Sequence, residues 1–125
     1  MPGSPLSKAI LLIAPDLEER RLLLAELRDA GYEVLPAPDA DYATRAMLLQ
    51  LIQPSLVLWD EPGEPSTTST ERRRLSSLTS NVPWIVIEPA IPTGPREPVG
   101  GPTSKVLRRP VRIGQIVEAV QAVIG

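Results

Sequence analysis

Residues 56–60 read Leu-Val-Leu-Trp-Asp, preceded by Ile52-Gln-Pro-Ser55. Four apolar residues stand together without alternation, between turn-forming residues and a carboxylate. A run this short and continuous suits a strand buried on both faces, the kind found in parallel sheets. Ala9–Ala14 (AILLIA) and Trp84–Ile87 (WIVI) have the same character, and Val34-Leu35 and Val106-Leu107 are shorter runs of the same kind.

Helical patterns fill the intervals. Asp16 is placed to cap a helix whose first turn holds Glu18 and Glu19, where negative charge suits the helix dipole. Its apolar side uses Leu23, Leu24, Leu27 and Ala30, and Gly31 is placed to end it in the left-handed conformation. Asp39 or Asp41 can cap a second helix carrying Ala43, Ala46, Met47 and Leu51, stopped before Pro54. A weaker third pattern spans Thr70 to Leu78, with Leu75 and Leu78 as its apolar residues and Arg72–Arg74 solvated. The last helix is the clearest: Ile113, Ile116, Val117, Val120, Val123 and Ile124 form one stripe at spacings of three and four. Alternation of strand and helix predicts a doubly wound α/β fold of flavodoxin-like type, with five parallel strands in the order 2-1-3-4-5. Trp59 and Trp84 fall in neighbouring strands as core residues.

Where a fourth helix is due, residues 89–102 read PAIPTGPREPVGGP. Pro89, Pro92, Pro95 and Pro98 recur every third residue, the polyproline II period, and five prolines in this stretch forbid a regular helix. An extended surface loop is expected there, and a docking strip for an aromatic-lined groove is the sharper alternative.

Composition narrows the chemistry. The 125 residues suit one domain, with 1–8 as a flexible tail and 9–125 as the folded part. Neither histidine nor cysteine occurs, which excludes histidine-based triads, thiolate chemistry and disulfides. Any metal site must then be rich in oxygen, which favours Mg²⁺ or a similar hard cation. A net charge of −2 offers no field for nucleic acid or an anionic membrane. No apolar run approaches the roughly 18 residues of a spanning helix, no signal peptide opens the chain, and the expected compartment is the cytoplasm. No Gly-x-Gly-x-x-Gly follows the first strand, no Gly-Lys-Ser/Thr occurs in the glycine-containing stretch 94–105, and Ser66–Thr70 reads as a polar loop.

In a sheet of order 2-1-3-4-5, ligands bind beyond the strand ends at the switch between the first and third strands. Asp16 and Asp60 lie at those two ends, so the pair is a candidate site for a hard divalent cation; for Asp16 alone, a helix cap is the competing role. Laid along the chain, LLIAPDLEERRLLLAELRDAGYEVLPAPDADYA, IQPSLVLWDEPGEP, VPWIVIEPA and KVLRRPVRIGQIVEAVQAVIG resemble the successive segments of a CheY-like response regulator receiver domain, from Ala9 onward.

The resemblance implies a role for each residue at the rim. Asp60 falls on the phosphoacceptor, and Asp16 on the second of two acidic residues that hold Mg²⁺; the first of that pair is Pro15 here. Glu88 replaces the hydroxyl residue after the fourth strand. Arg109, before Pro110, replaces the lysine that precedes the family's cis-proline. Val106 stands where an aromatic switch residue is usual. The resemblance is thus to a degenerate receiver, with Mg²⁺ binding weakened by the lost carboxylate. At about 4 Å, Glu88 against a phosphoryl oxygen costs roughly 4 kcal/mol at an effective dielectric of 20. Glu88 must therefore turn away, take a proton, or pair with Arg109. The last is favoured, as a cluster of Asp60, Glu88 and Arg109 holding one fixed state; simple decay of the site is the alternative.

The functional expectation is a receiver-type module of two-component signal transduction, not an enzyme, working through protein contacts. Its implied partners are a histidine kinase or another signalling protein, and a second copy in a homodimer; nucleic acid and membrane are not among them. The alternative is a working phosphoacceptor, modified on Asp60 with Mg²⁺ held by Asp16 and Asp60. A small flavodoxin-like enzyme or ligand binder is disfavoured by the missing histidine, cysteine and phosphate loop. An end soon after the last helix suits one domain of a longer regulator or kinase.

Overall fold

The computed structural model describes residues 8–61, 69–91 and 105–125. Five strands, β1 (Ala9–Ile13), β2 (Glu33–Ala37), β3 (Leu56–Asp60), β4 (Trp84–Glu88) and β5 (Lys105–Arg108), form one sheet. All four neighbouring pairs are parallel and the order is β2-β1-β3-β4-β5, as the alternation of runs requires. The helices are α1 (Leu17–Asp29), α2 (Ala40–Leu48), α3 (Ser69–Leu78) and α4 (Ile113–Ile124). Among the described residues no helix is long and apolar enough to cross a membrane. The tail 1–7 and most of the proline stretch, 92–104, lie outside the described residues.

Strand alternation sorts side chains between two cores. Ile10, Leu12, Leu56, Leu58, Ile85 and Ile87 face one side, where Leu23 and Leu27 of α1 and Ile116 and Val120 of α4 cover them. Leu11, Ile13, Val57, Trp59, Trp84 and Val86 face the other, under Ala43 of α2 and Leu75 of α3. The two indoles stack there at 5.8 Å between ring centroids. Trp84 Nε1 donates to Thr79 Oγ1 at 3.0 Å, and that hydroxyl donates to Leu75 O at 2.8 Å, so buried polar atoms are matched where α3 ends.

Helix ends follow the local chemistry. Asp16 and Asp39 cap α1 and α2 by accepting from Glu19 N and Tyr42 N. Both helices close with the same pair of reversed hydrogen bonds. Gly31 N and Tyr32 N reach Arg28 O and Leu27 O, and Gln50 N and Leu51 N reach Met47 O and Ala46 O. The first uses glycine at φ +100°, whereas the second holds Gln50 at φ +56°, a left-handed position without glycine. This closure stops α2 at Leu48 and leaves Leu51 outside the helix and exposed, contrary to its expected place on the apolar side. Leu78 is also exposed, and Arg72 is not solvated but folded back onto the rim of β3.

Candidate functional site

The carboxyl ends of β1 and β3 adjoin, because Ile13 and Trp59 are register partners. Asp60 closes β3 there, and its side chain is almost wholly buried. It has the parity of Leu56 and Leu58, so it faces the α1/α4 side of the sheet. Arg109, just past β5, reaches back over this end. Its backbone N–H donates to Glu88 O at 2.9 Å, which fixes the turn, and the Arg109–Pro110 peptide bond is cis. Arg109 Nη2 donates to Asp60 Oδ1 at 2.8 Å and also to Glu19 Oε1 from the first turn of α1. One guanidinium thus ties β3, α1 and the β5–α4 turn together.

The protonation balance follows from this packing. Burial pushes the Asp60 carboxyl above the ordinary aspartate range. The hydrogen bond and charge of Arg109 pull it down, and the Glu19 and Asp16 charges add to the upward push. Burial works against the charge on Arg109 as well, but its bonds to Asp60 and Glu19 prevail and hold its pKa above the usual arginine value.

The three expected acidic positions separate. Asp16 stands at the rim as the cap of α1, its Oδ1 taken by Glu19 N at 3.0 Å. Glu88 does not join the Asp60–Arg109 cluster: its carboxylate lies 3.9 Å from Arg108 Nη2. The reason is parity. Glu88 follows Ile87 and so faces the α2/α3 side, as does Arg108, its register partner after Leu107. Asp60 and Arg109 meet on the opposite side. Pro110 follows Arg109 through that cis bond, and its ring carries no polar atom. Val106 is exposed on β5.

Three residues at this rim had no role in the expected site. Glu19 takes the place expected of Glu88; its signal was a carboxylate one helical turn from Asp16, in the helix that begins at the strand switch. Arg20 Nη1 donates to Ala14 O at 2.7 Å and covers the end of β1. Glu61 has the parity of Trp59: it accepts from Trp59 Nε1 at 2.8 Å and from Arg72 Nη1 at 3.2 Å, with Arg72 lying 5.6 Å from the Trp59 ring centroid.

These donors do not suit a hard divalent ion. Asp60 Oδ1 is bonded to a guanidinium, Asp16 Oδ1 to a backbone amide, and Pro15 offers no carboxylate. Among the described residues no group of three or more potential ligands is placed to hold a metal. The positive charge that faces Asp60 is an arginine.

No protein-family model matches the chain, and no curated protein does. Solved structures match it throughout. The receiver domain of the hybrid histidine kinase CckA superposes with a TM-score of 0.72 at 21% identity, over 94% of this chain and 99% of that one. A response regulator receiver protein from Sinorhizobium medicae gives 0.71 at 21%, over 97% of each. The chemotaxis protein CheY4 of Vibrio cholerae gives 0.70 at 17%, over 94% and 98%. Strand order and these superpositions agree, and the fold of the chain is that of the CheY-like receiver domains.

Proposed function

We propose that this chain is a receiver-type signalling module whose acidic site is held by its own arginine, and that it acts through protein contacts without an aspartyl phosphate. One observation carries the proposal: Arg109 Nη2 bonds Asp60 and Glu19 together. In a phosphoacceptor, free positive charge must meet the phosphoryl oxygens. Here the guanidinium is already shared by two carboxylates, and Pro15 removes a third that could draw in a metal. Phosphorylating Asp60 would require displacing Arg109 from Asp60 while Glu19 still holds it. The implied partner is a histidine kinase or another cytoplasmic signalling protein, recognised by the folded part, residues 9–125, in its single resting state.

The test is incubation with acetyl phosphate, or with beryllofluoride, in the presence of Mg²⁺, followed by intact-mass measurement and thermal melting. The wild-type chain is expected to gain no phosphoryl mass and to melt at the same temperature with and without Mg²⁺. A single phosphoryl adduct that disappears in Asp60→Asn would overturn the proposal and establish a working phosphoacceptor.

A further inference from the structure

A helix is held on a sheet chiefly by the apolar stripe it turns to the core. Among the described residues α1 buries Leu23 and Leu27, α2 buries Ala40, Ala43 and Ala46, and α4 buries Ile116, Ala119 and Val120. By the same measure α3 buries Leu75 alone, and its other apolar residue, Leu78, is 40% exposed. Polar contacts flank Leu75 on both sides. Near the start of α3, Arg72 Nη1 lies 3.2 Å from Glu61 Oε1 and 3.1 Å from Oε2, its guanidinium 5.6 Å from the Trp59 ring centroid. The Arg72 and Glu61 side chains are only 12% and 17% exposed. Just past the end of α3, Thr79 Oγ1 accepts from Trp84 Nε1 at 3.0 Å. Both contacts terminate on one aromatic pair, because Trp59 and Trp84 stack and Trp59 Nε1 donates to the same Glu61 carboxylate.

We propose that α3 is a detachable cover over the Trp59–Trp84 pair, opening as one unit while the sheet, α1 and α4 stay folded. Segments that open locally are those with few buried apolar contacts, and α3 buries the fewest apolar residues of the four helices. Its remaining contacts reinforce one another. Arg72 and Thr79 hold the two rings of a single stack, so release at one end of the helix loosens the ring that supports the other. Opening also returns the Arg72 and Glu61 charges to water, which offsets the lost ion pair. Lifting the Leu23/Leu27 or Ile116/Val120 stripe would expose apolar surface with no such return. Trp59, Glu61 and Arg72 meet on the α2/α3 side of the sheet, away from Asp60 and Arg109, so the inference stands whether or not Asp60 takes a phosphoryl group.

The experiment is native-state hydrogen exchange on the full chain, read by peptide mass, with Arg72→Met and Arg74→Met as variants. Methionine and arginine have similar helix propensity, and Arg74 is exposed, so the second variant controls for loss of charge on the same helix. In the wild-type chain, amides from Arg72 to Leu78 are expected to exchange together, at least about tenfold faster than those of Leu23–Leu27 and Ile116–Val120. Arg72→Met should speed α3 exchange by roughly tenfold or more, through loss of the charge-assisted bond to Glu61, and leave α1 and α4 unchanged. Arg74→Met should change none of them. The chain's two tryptophans are this pair, so acrylamide quenching of their emission should rise in Arg72→Met alone. Wild-type α3 amides that exchange as slowly as those of α1 and α4 would overturn the inference without need of any variant. So would an Arg72→Met chain that speeds all helices equally, or an Arg74→Met chain that reproduces its effect.

Discussion

Replacing Arg109 with methionine keeps the aliphatic stem and removes the charge that joins Asp60 to Glu19. The Asp60 side chain is 7% exposed, so its carboxylate would be left nearly dry with no cation against it. A hydrogen bond to a charged group contributes about 1.5–3 kcal/mol net, and the cost is greatest when the remaining partner is buried. The bond to Glu19 counts for less, because Glu19 is 24% and Arg109 30% exposed and water screens them; roughly 0–1 kcal/mol is appropriate there. The loss at neutral pH is therefore about 3 kcal/mol, equivalent to a fall in melting temperature on the order of 10 °C for a chain of this size. Acid should reduce the difference. Without Arg109, burial and the Glu19 and Asp16 charges all push the Asp60 carboxyl upward, and protonation removes the unpaired charge. Urea unfolding followed by tryptophan emission at pH 7 and near pH 4.5 measures both effects. A loss under about 1 kcal/mol at pH 7, or one that stays constant as pH falls, would refute the reasoning.

Asp60→Asn should leave the protein as stable at pH 7 or more so. The folded-state pKa of Asp60 is raised, so its contribution to stability is full below the ordinary aspartate pKa and is lost as pH rises through the folded value; the amide abolishes that decline, which stability measured against pH will show. Thr79→Val removes the acceptor of the buried Trp84 N–H and should cost about 1–3 kcal/mol in the same urea assay, with a shift in indole emission. Gln50→Gly should stabilise the monomer by about 0.5–1 kcal/mol, because a left-handed residue with a side chain costs roughly 1–2 kcal/mol and glycine's greater unfolded-state freedom returns part of the gain. A melting temperature unchanged or lowered in that variant would contradict the account of how α2 ends.

Most of the architecture was legible because it rests on short-range patterns. Continuous apolar runs marked β1, β3 and β4, a period-3.6 stripe marked α4, and Asp16 and Gly31 marked the ends of α1. Leu51 was misassigned because the helical period continues past the true end of α2; Gln50 carries none of the usual marks of a helix stop. The rim was read less well. Asp60 and Arg109 could be placed together because Asp60 closes β3 and Arg109 directly follows β5. Glu88 was misplaced because nearness along a rim was considered without parity: one residue beyond Ile87, a side chain passes to the other face of the sheet. The same count, applied to Asp60 and Glu61, explains why these neighbours hold arginines from different parts of the chain. Glu19 was treated as a helix-dipole residue, and only the tertiary approach of the β5–α4 turn gives it a cation.

The sheet also acts as a partition. The buried side chains of the α1/α4 compartment and those of the α2/α3 compartment form separate clusters on opposite faces of the sheet, so their packing errors should not share a remedy. Paired truncations on opposite sides, such as Leu23→Ala with Leu75→Ala, are expected to sum, whereas contacting pairs within one compartment are not. Either half of the interior can then be redesigned as a separate problem, with Asp60 anchored in one half and the tryptophan pair in the other.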